Sequence, residues 1–270
     1  MTKFFHEAPN VLFKHVQSLT DGDYALVHLF EENETYLNNF KQAIAEGREV
    51  ILDNSIFELG TAFEAEAFAK WVRELRPTWF IIPDVLEKKD ETIESFQRWM
   101  EHYGDVPGKR IAVAQGRTKQ DMIDCFEYFH DDPDVDMVAL SFDLKFFEED
   151  LADCDHFTKL EKWMIGRRWL IQNYIAPMYA SGRFFKPVHL LGCSLAREGA
   201  VYSDYNWIYS TDTSNPVVAG LEGQRYNGLR GLDNKPEAKL FKLIDLPYID
   251  QSYIDNITYN INTFKQIWSK

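Results

Sequence analysis

Cysteine is scarce in this chain: Cys125, Cys154 and Cys193 are the only three among 270 residues. They are too few and too far apart for a disulfide framework or a CxxC zinc clip. They read instead as small buried hydrophobes in a reducing compartment. No run of about 18 apolar residues occurs, so no membrane-spanning helix is predicted. Met1-Thr2-Lys3-Phe4-Phe5-His6-Glu7 lacks an apolar stretch followed by a small-residue cleavage site, so no secretory signal is predicted. Together these absences predict a soluble, cytoplasmic protein with no membrane partner. Positive charge is also in deficit: 29 Lys and Arg face 43 Asp and Glu, a net charge of −14. A nucleic-acid partner must then be met by a local basic patch. The Gly-rich C-terminal part has no GxxxxGK[ST] motif, so no nucleoside triphosphate site is predicted.

Apolar residues are plentiful, at 45% with 15% aromatic, enough for a full core. Short apolar runs recur at 24–30, 49–52, 79–83, 110–114, 136–140, 187–191 and 207–211. Each is apolar on both faces, as a covered parallel strand must be. Amphipathic stretches lie between them, with Phe63, Ala67, Trp71 and Leu75 striping 61–76; 90–102 and 119–129 repeat the pattern. Seven strands alternating with helices predict an α/β fold, and the length favours one (β/α)8 TIM-barrel domain over residues 1–270. An open doubly wound sheet is the alternative. The eighth strand is not located; 216–236 reads as a Gly-rich loop and 250–268 as a C-terminal helix.

The stretch 144–186 reads as an insertion between the fifth and sixth of these strands. From Lys159 to Arg197 there are seven basic residues and one acid, Glu161, interleaved with six aromatics. Arg167, Arg168, Arg183 and Lys186 are the candidate nucleic-acid contacts, since basic groups beside aromatics suit a phosphate backbone with splayed bases. A helix with a solvated basic face is the plainer reading.

In a parallel barrel the residues just past each strand meet on one rim. Those positions hold Asp53-Asn54-Ser55, Asp84, Gln115-Gly116, Ser141-Phe142-Asp143, Gly192 and Asp212-Thr213-Ser214. Two converging carboxylates can divide labour, one attacking and one of raised pKa carrying the proton, as in cleavage of glycosidic bonds. Gln115 and the Leu140–Ser141 peptide groups are candidate readers of a leaving group. No metal-ligand spacing is seen, and the acidic run 147–150 reads as a solvated segment. His189 reads as a hydrogen-bonded core residue.

The strings Leu52-Asp53-Asn54-Ser55-Ile56-Phe57-Glu58, Ala114-Gln115-Gly116, His189-Leu190-Leu191-Gly192 and Ser210-Thr211-Asp212-Thr213-Ser214 resemble, in order, motifs of the tRNA-guanine transglycosylases. The likeness covers about residues 49 to 216 as scattered islands. It implies a TIM barrel and a base exchange with no cofactor. Asp212 would be the nucleophile toward C1′ and Asp53 the general acid/base. Asp84, Gln115, Leu140 and Ser141 would read the base, and Gly192 would let the backbone approach it. The family's zinc ligands are absent, because no Cys or His follows Cys193. The base-side motif reads Asp53-Asn54-Ser55 where glycine is expected, and Thr-Asp-Thr replaces the family's FDS or FDC. These departures, with the short chain, favour the divergent, often phage-encoded members that place 7-deazaguanines in DNA. The implied partners are DNA in preference to tRNA, a 7-deazaguanine base, and a second subunit in a homo- or hetero-dimer. Exchange on tRNA, a base- or sugar-releasing glycosidase and a non-catalytic partner subunit are the alternatives.

Overall fold

The eighth strand lies at the N-terminus. Lys3–Phe5 (β1) pairs on one side with Gly22–Leu26 (β2) and on the other with Ile208–Asp212 (β8), completing the ring. Between them stand Glu49–Asp53 (β3), Trp79–Ile81 (β4), Lys109–Ala114 (β5), Met137–Ser141 (β6) and Val188–Leu191 (β7). The structure, a computed structural model, describes residues 1–269. All eight strands are parallel and follow chain order in a closed barrel, so the doubly wound alternative falls away. β1 touches β2 through a single register pair, Phe5 with Gly22. The Phe5 ring lies where a side chain at 22 would stand: a Cβ there would be 2.1 Å from it. Glycine is required at that seam.

Finding β1 shifts the strand count by one, which corrects the position of the basic stretch to between β6 and β7. Most of it is no insertion. Lys159–Leu170, a π-helical turn Ile171–Ile175 and Ala176–Ala180 follow one another as a helical run, the crossover that every βα unit of a barrel needs. Pro177 lacks the N–H that a regular ladder would use, which accounts for the π turn just before it. Only about 142–158, with its short helix Phe146–Asp150, is extra material on the rim.

Other boundaries move for local reasons. The apolar run 24–30 leaves the sheet at Leu26 and turns helical at Leu29–Glu32. The helix expected over 61–76 starts at Ala65, where the Glu64 carboxylate accepts from the Glu66 and Ala67 N–H groups. Thr118 and Asp121 form a capping box that opens Lys119–Asp131. The Gly-rich 216–236 segment begins as a helix, Asn215–Leu221, and only then loops; Gln251–Trp268 is helical as expected.

The barrel's N-terminal floor is a closed polar knot. Glu49 accepts from Lys3 Nζ at 2.5 Å, Trp79 Nε1 at 2.6 Å and Tyr209 OH at 2.5 Å. Those donors come from β1, β4 and β8. Burial alone would raise the Glu49 pKa, but the three hydrogen bonds and the Lys3 charge bring it below the ordinary value. A register shift helps: Val188 pairs with Ile208, yet His189 pairs with Ser210. The extra β8 residue breaks strict alternation and lets Tyr209 serve the floor while Asp212 serves the opposite rim.

Candidate active site

The C-terminal rim opens into a cavity of about 250 Å3. Asp53, Asp84, Gln115, Ser141, Gly192 and Asp212 all line it, so six of the seven expected base-side and catalytic residues are brought together. Leu140 is not. It is fully buried in β6 and its carbonyl accepts from Arg167 Nη1 at 3.2 Å, which takes it out of the base-reading set.

Asp212 ends β8. One carboxylate oxygen, Oδ1, accepts from the Gly192 N–H at 3.0 Å and faces His189 Nε2 at 3.0 Å. Ser210 Oγ lies 2.8 Å from His189 Nδ1, so with the proton on Nε2 the hydroxyl donates to Nδ1 and the imidazole donates to Asp212. Oδ2 has no protein donor among the described residues. Gly192 holds φ at +63°, and a Cβ there would meet the Phe142 ring at 2.6 Å. The peptide that orients Asp212 therefore needs glycine.

Asp53 ends β3, where Tyr24 OH donates to its Oδ2 at 2.9 Å and the Ser55 N–H to its Oδ1 at 3.2 Å. Burial pushes its carboxyl well above the ordinary range, with the Glu58 charge adding to this. The Tyr24 hydrogen bond opposes, and Asp212 and Asp84 reinforce the rise. Tyr24 also lies nearly parallel to His189, 12° between rings at 6.2 Å. Asp53, Tyr24, His189 and Asp212 thus form one chain across the barrel, a stacked pair of rings holding a carboxyl at each end.

Asp84 follows β4 and accepts from Asn54 Nδ2 at 2.8 Å and Gln115 Nε2 at 2.7 Å. Burial lifts its pKa to about 6 against those two bonds. Asn54 also donates to the Ile82 carbonyl and accepts from the Ile56 N–H. Gln115 is fixed at both ends, its Oε1 accepting from the Glu87 N–H at 2.9 Å. Ser141 donates to Asp143 at 2.5 Å.

Two acids were not anticipated. Glu7, just beyond β1, lines the cavity, and burial drives its carboxyl well above the usual range. Glu58 also lines it, and burial raises its pKa to about 7; its Oε2 is buried without a hydrogen-bond partner among the described residues. Glu7 was hidden because β1 was. Glu58 lies inside the quoted Leu52–Glu58 string, and its helical spacing from Asn54 was the available signal. Among the described residues, no group of three or more His, Cys, Asp or Glu is placed to hold a metal ion.

Of the four candidate nucleic-acid contacts, Arg167 and Lys186 are corrected by their burial, while Arg168 and Arg183 lie outside the cavity lining. Arg167 is fully buried: Nε and Nη2 pair with Glu198 at 2.6 and 2.8 Å, and its other bonds go to the Leu140, Leu191 and Gly192 carbonyls. It braces the ends of β6 and β7 beneath the Asp212-holding peptide. Lys186 is buried against the Phe129 and Asp132 carbonyls. Arg183 pairs with Asp131 at 2.7 and 2.6 Å, at the end of the helix that leads away from the rim. Arg168 is half-buried on the outer crossover helix and does not line the cavity. Charge pattern alone could not distinguish a buried brace from a solvated face.

No family profile matches the chain, and no curated protein sequence matches it. Among solved structures, KGPDC from Streptococcus mutans aligns with a TM-score of 0.49 at 8% identity, over 99% of each chain. A protein from Aquifex aeolicus aligns at 0.49 and 14% identity, over 100% of this chain and 94% of that one. Methylaspartate ammonia lyase from Clostridium tetanomorphum gives 0.44 and 12%, over 99% of this chain and 58% of that one. The chemistry has to be read from the cavity itself. No helix of the described residues is long and apolar enough to cross a membrane.

Proposed function

We propose that the rim cavity belongs to an enzyme that exchanges a base on a nucleic acid, replacing guanine in DNA by a 7-deazaguanine. One observation carries the reading. Two carboxyl groups from β3 and β8 open into one small cavity in opposite conditions, Asp53 inclined to keep its proton and Asp212 held by two donors on a single oxygen. That is the division of labour a double displacement needs.

In the first half, Asp212 Oδ2 forms a bond to C1′ as the C1′–N9 bond breaks. The bonding pair leaves with guanine, and the Asp53 carboxyl delivers its proton to the departing ring nitrogen. In the second half, the Asp53 carboxylate takes the N9 proton of the incoming base. The new C1′–N9 bond forms and the Asp212–C1′ bond breaks, which restores both carboxyl groups. Two inversions retain configuration at the sugar. The acid-lined cavity suits a ring edge made of N–H donors, which guanine presents. Asp84, steadied by Asn54 and Gln115, is the acceptor for that edge.

The test offers labelled guanine with DNA and with tRNA separately. Label entering DNA, a denaturation-stable protein–DNA adduct, and loss of both in Asp212→Ala are expected. Label entering only tRNA reassigns the polymer. Free base released without replacement would mark a hydrolase, and an adduct persisting in Asp212→Ala would remove the assigned nucleophile.

A further inference from the structure

The mouth of the cavity carries an unpartnered aromatic ledge. Phe57 lines the cavity yet is 53% exposed, an unusual state for so large an apolar side chain. It reaches from the turn after β3 to Phe142 after β6, with ring centroids 5.7 Å apart at 63°. Phe142 in turn meets Trp163 at 5.8 Å, and Lys159 Nζ sits 4.8 Å above the Trp163 ring. Lys235 and Lys239, both exposed, line the same mouth, and neither makes an ion pair among the described residues.

Inside and outside therefore differ in chemistry. The interior is lined by Glu7, Asp53, Glu58, Asp84 and Asp212, and apart from Lys235 and Lys239 at the mouth no lysine or arginine among the described residues lines it, so nothing inside pairs with a phosphate. A phosphodiester chain must keep its charges outside, where the free lysines are. The cavity, at about 250 Å3, is smaller than the roughly 300–1,000 Å3 typical of ligand pockets. It admits one ring system, so a base that enters has left its neighbour in the strand. That neighbour is left with a bare face beside the mouth, where Phe57 stands.

We propose that Phe57 is the stacking platform for the base adjoining the one in the cavity, so that the protein takes an unpaired strand or a locally opened one rather than an intact duplex. The inference rests on the base-exchange reading only for what happens to the inner base. Stacking on aromatic side chains is tolerant of sequence and is worth about 5- to 150-fold in affinity per base.

The experiment measures binding, not turnover. A single-stranded oligodeoxynucleotide carries 2-aminopurine beside one guanine, and its fluorescence is titrated with the full-length protein. The wild type should quench the probe. Phe57→Ala should weaken binding about 5- to 150-fold, and Phe57→Trp should restore it. The same oligonucleotide annealed to its complement should bind more weakly than the single strand. Equal binding by Phe57→Ala, equal binding of duplex, or no binding at all would overturn the ledge. A dimer that dissociates in Phe57→Ala while oligonucleotide binding is unchanged would give the ledge to a second copy of this chain instead. Phe57-dependent binding without base exchange would leave the ledge standing and sink the exchange reading.

Discussion

Glu49 and Asp53 occupy the two ends of β3, four residues apart on the same inward face, and they titrate in opposite directions. At the floor, Lys3, Trp79 and Tyr209 satisfy Glu49, and its pKa falls. At the rim, Asp53 is surrounded by Glu58, Asp212 and Asp84 with no cation bonded to it, and its pKa rises. One strand thus delivers a carboxylate satisfied by the fold and a carboxyl group that faces the cavity. Burial is shared by both ends. What differs is whether the fold supplies the counter-charge itself or leaves that to a ligand.

The sharpest way to break this contrast is to neutralise each end in turn. Asp53→Asn should lower base exchange by about 10²- to 10⁴-fold, the usual worth of a general acid, with the unfolding midpoint unchanged or raised. Exchange rates and urea titrations on the same preparation would check both halves; undiminished exchange would remove Asp53 from the proton's path. Glu49→Gln should do the reverse, costing about 1–3 kcal/mol in urea unfolding while the exchange rate of the folded protein holds.

The smallest effect is the most diagnostic. Glu58 binds its proton more tightly in the fold than a free carboxyl does, with a pKa of about 7 against an ordinary 4.5. Its contribution to stability is therefore complete below the ordinary carboxyl range and is lost as pH rises through about 7. Unfolding midpoints taken from pH 5 to 8 should decline more steeply for the wild type than for Glu58→Gln. Parallel curves would mean that Glu58 is better compensated than its surroundings indicate.

Much of this was legible in the chain, for identifiable reasons. A covered parallel strand is apolar on both faces, which marks seven of the eight strands, and the first polar residue after each must lie on the rim. Asp53, Asp84, Gln115, Ser141 and Asp212 follow from that rule alone. β1 escaped because three residues give no periodicity to detect. Tyr24 escaped because an inward polar residue within a strand looks the same whether it fills space or holds another group, whereas His189, read as a hydrogen-bonded core residue, is one. Arg167 was assigned to phosphate because seven cations beside six aromatics describe a solvated surface and a buried clamp equally well. Only the position of Glu198, 31 residues away, separates the two.

The three-residue stave at the N-terminus has a consequence for how the molecule is made. His6, one residue past it, bonds to Thr213, 207 residues along the chain. The two halves of the seam are therefore synthesised 207 residues apart. Until β8 emerges, the sheet stands open with raw edges on both sides, which invites pairing with other chains.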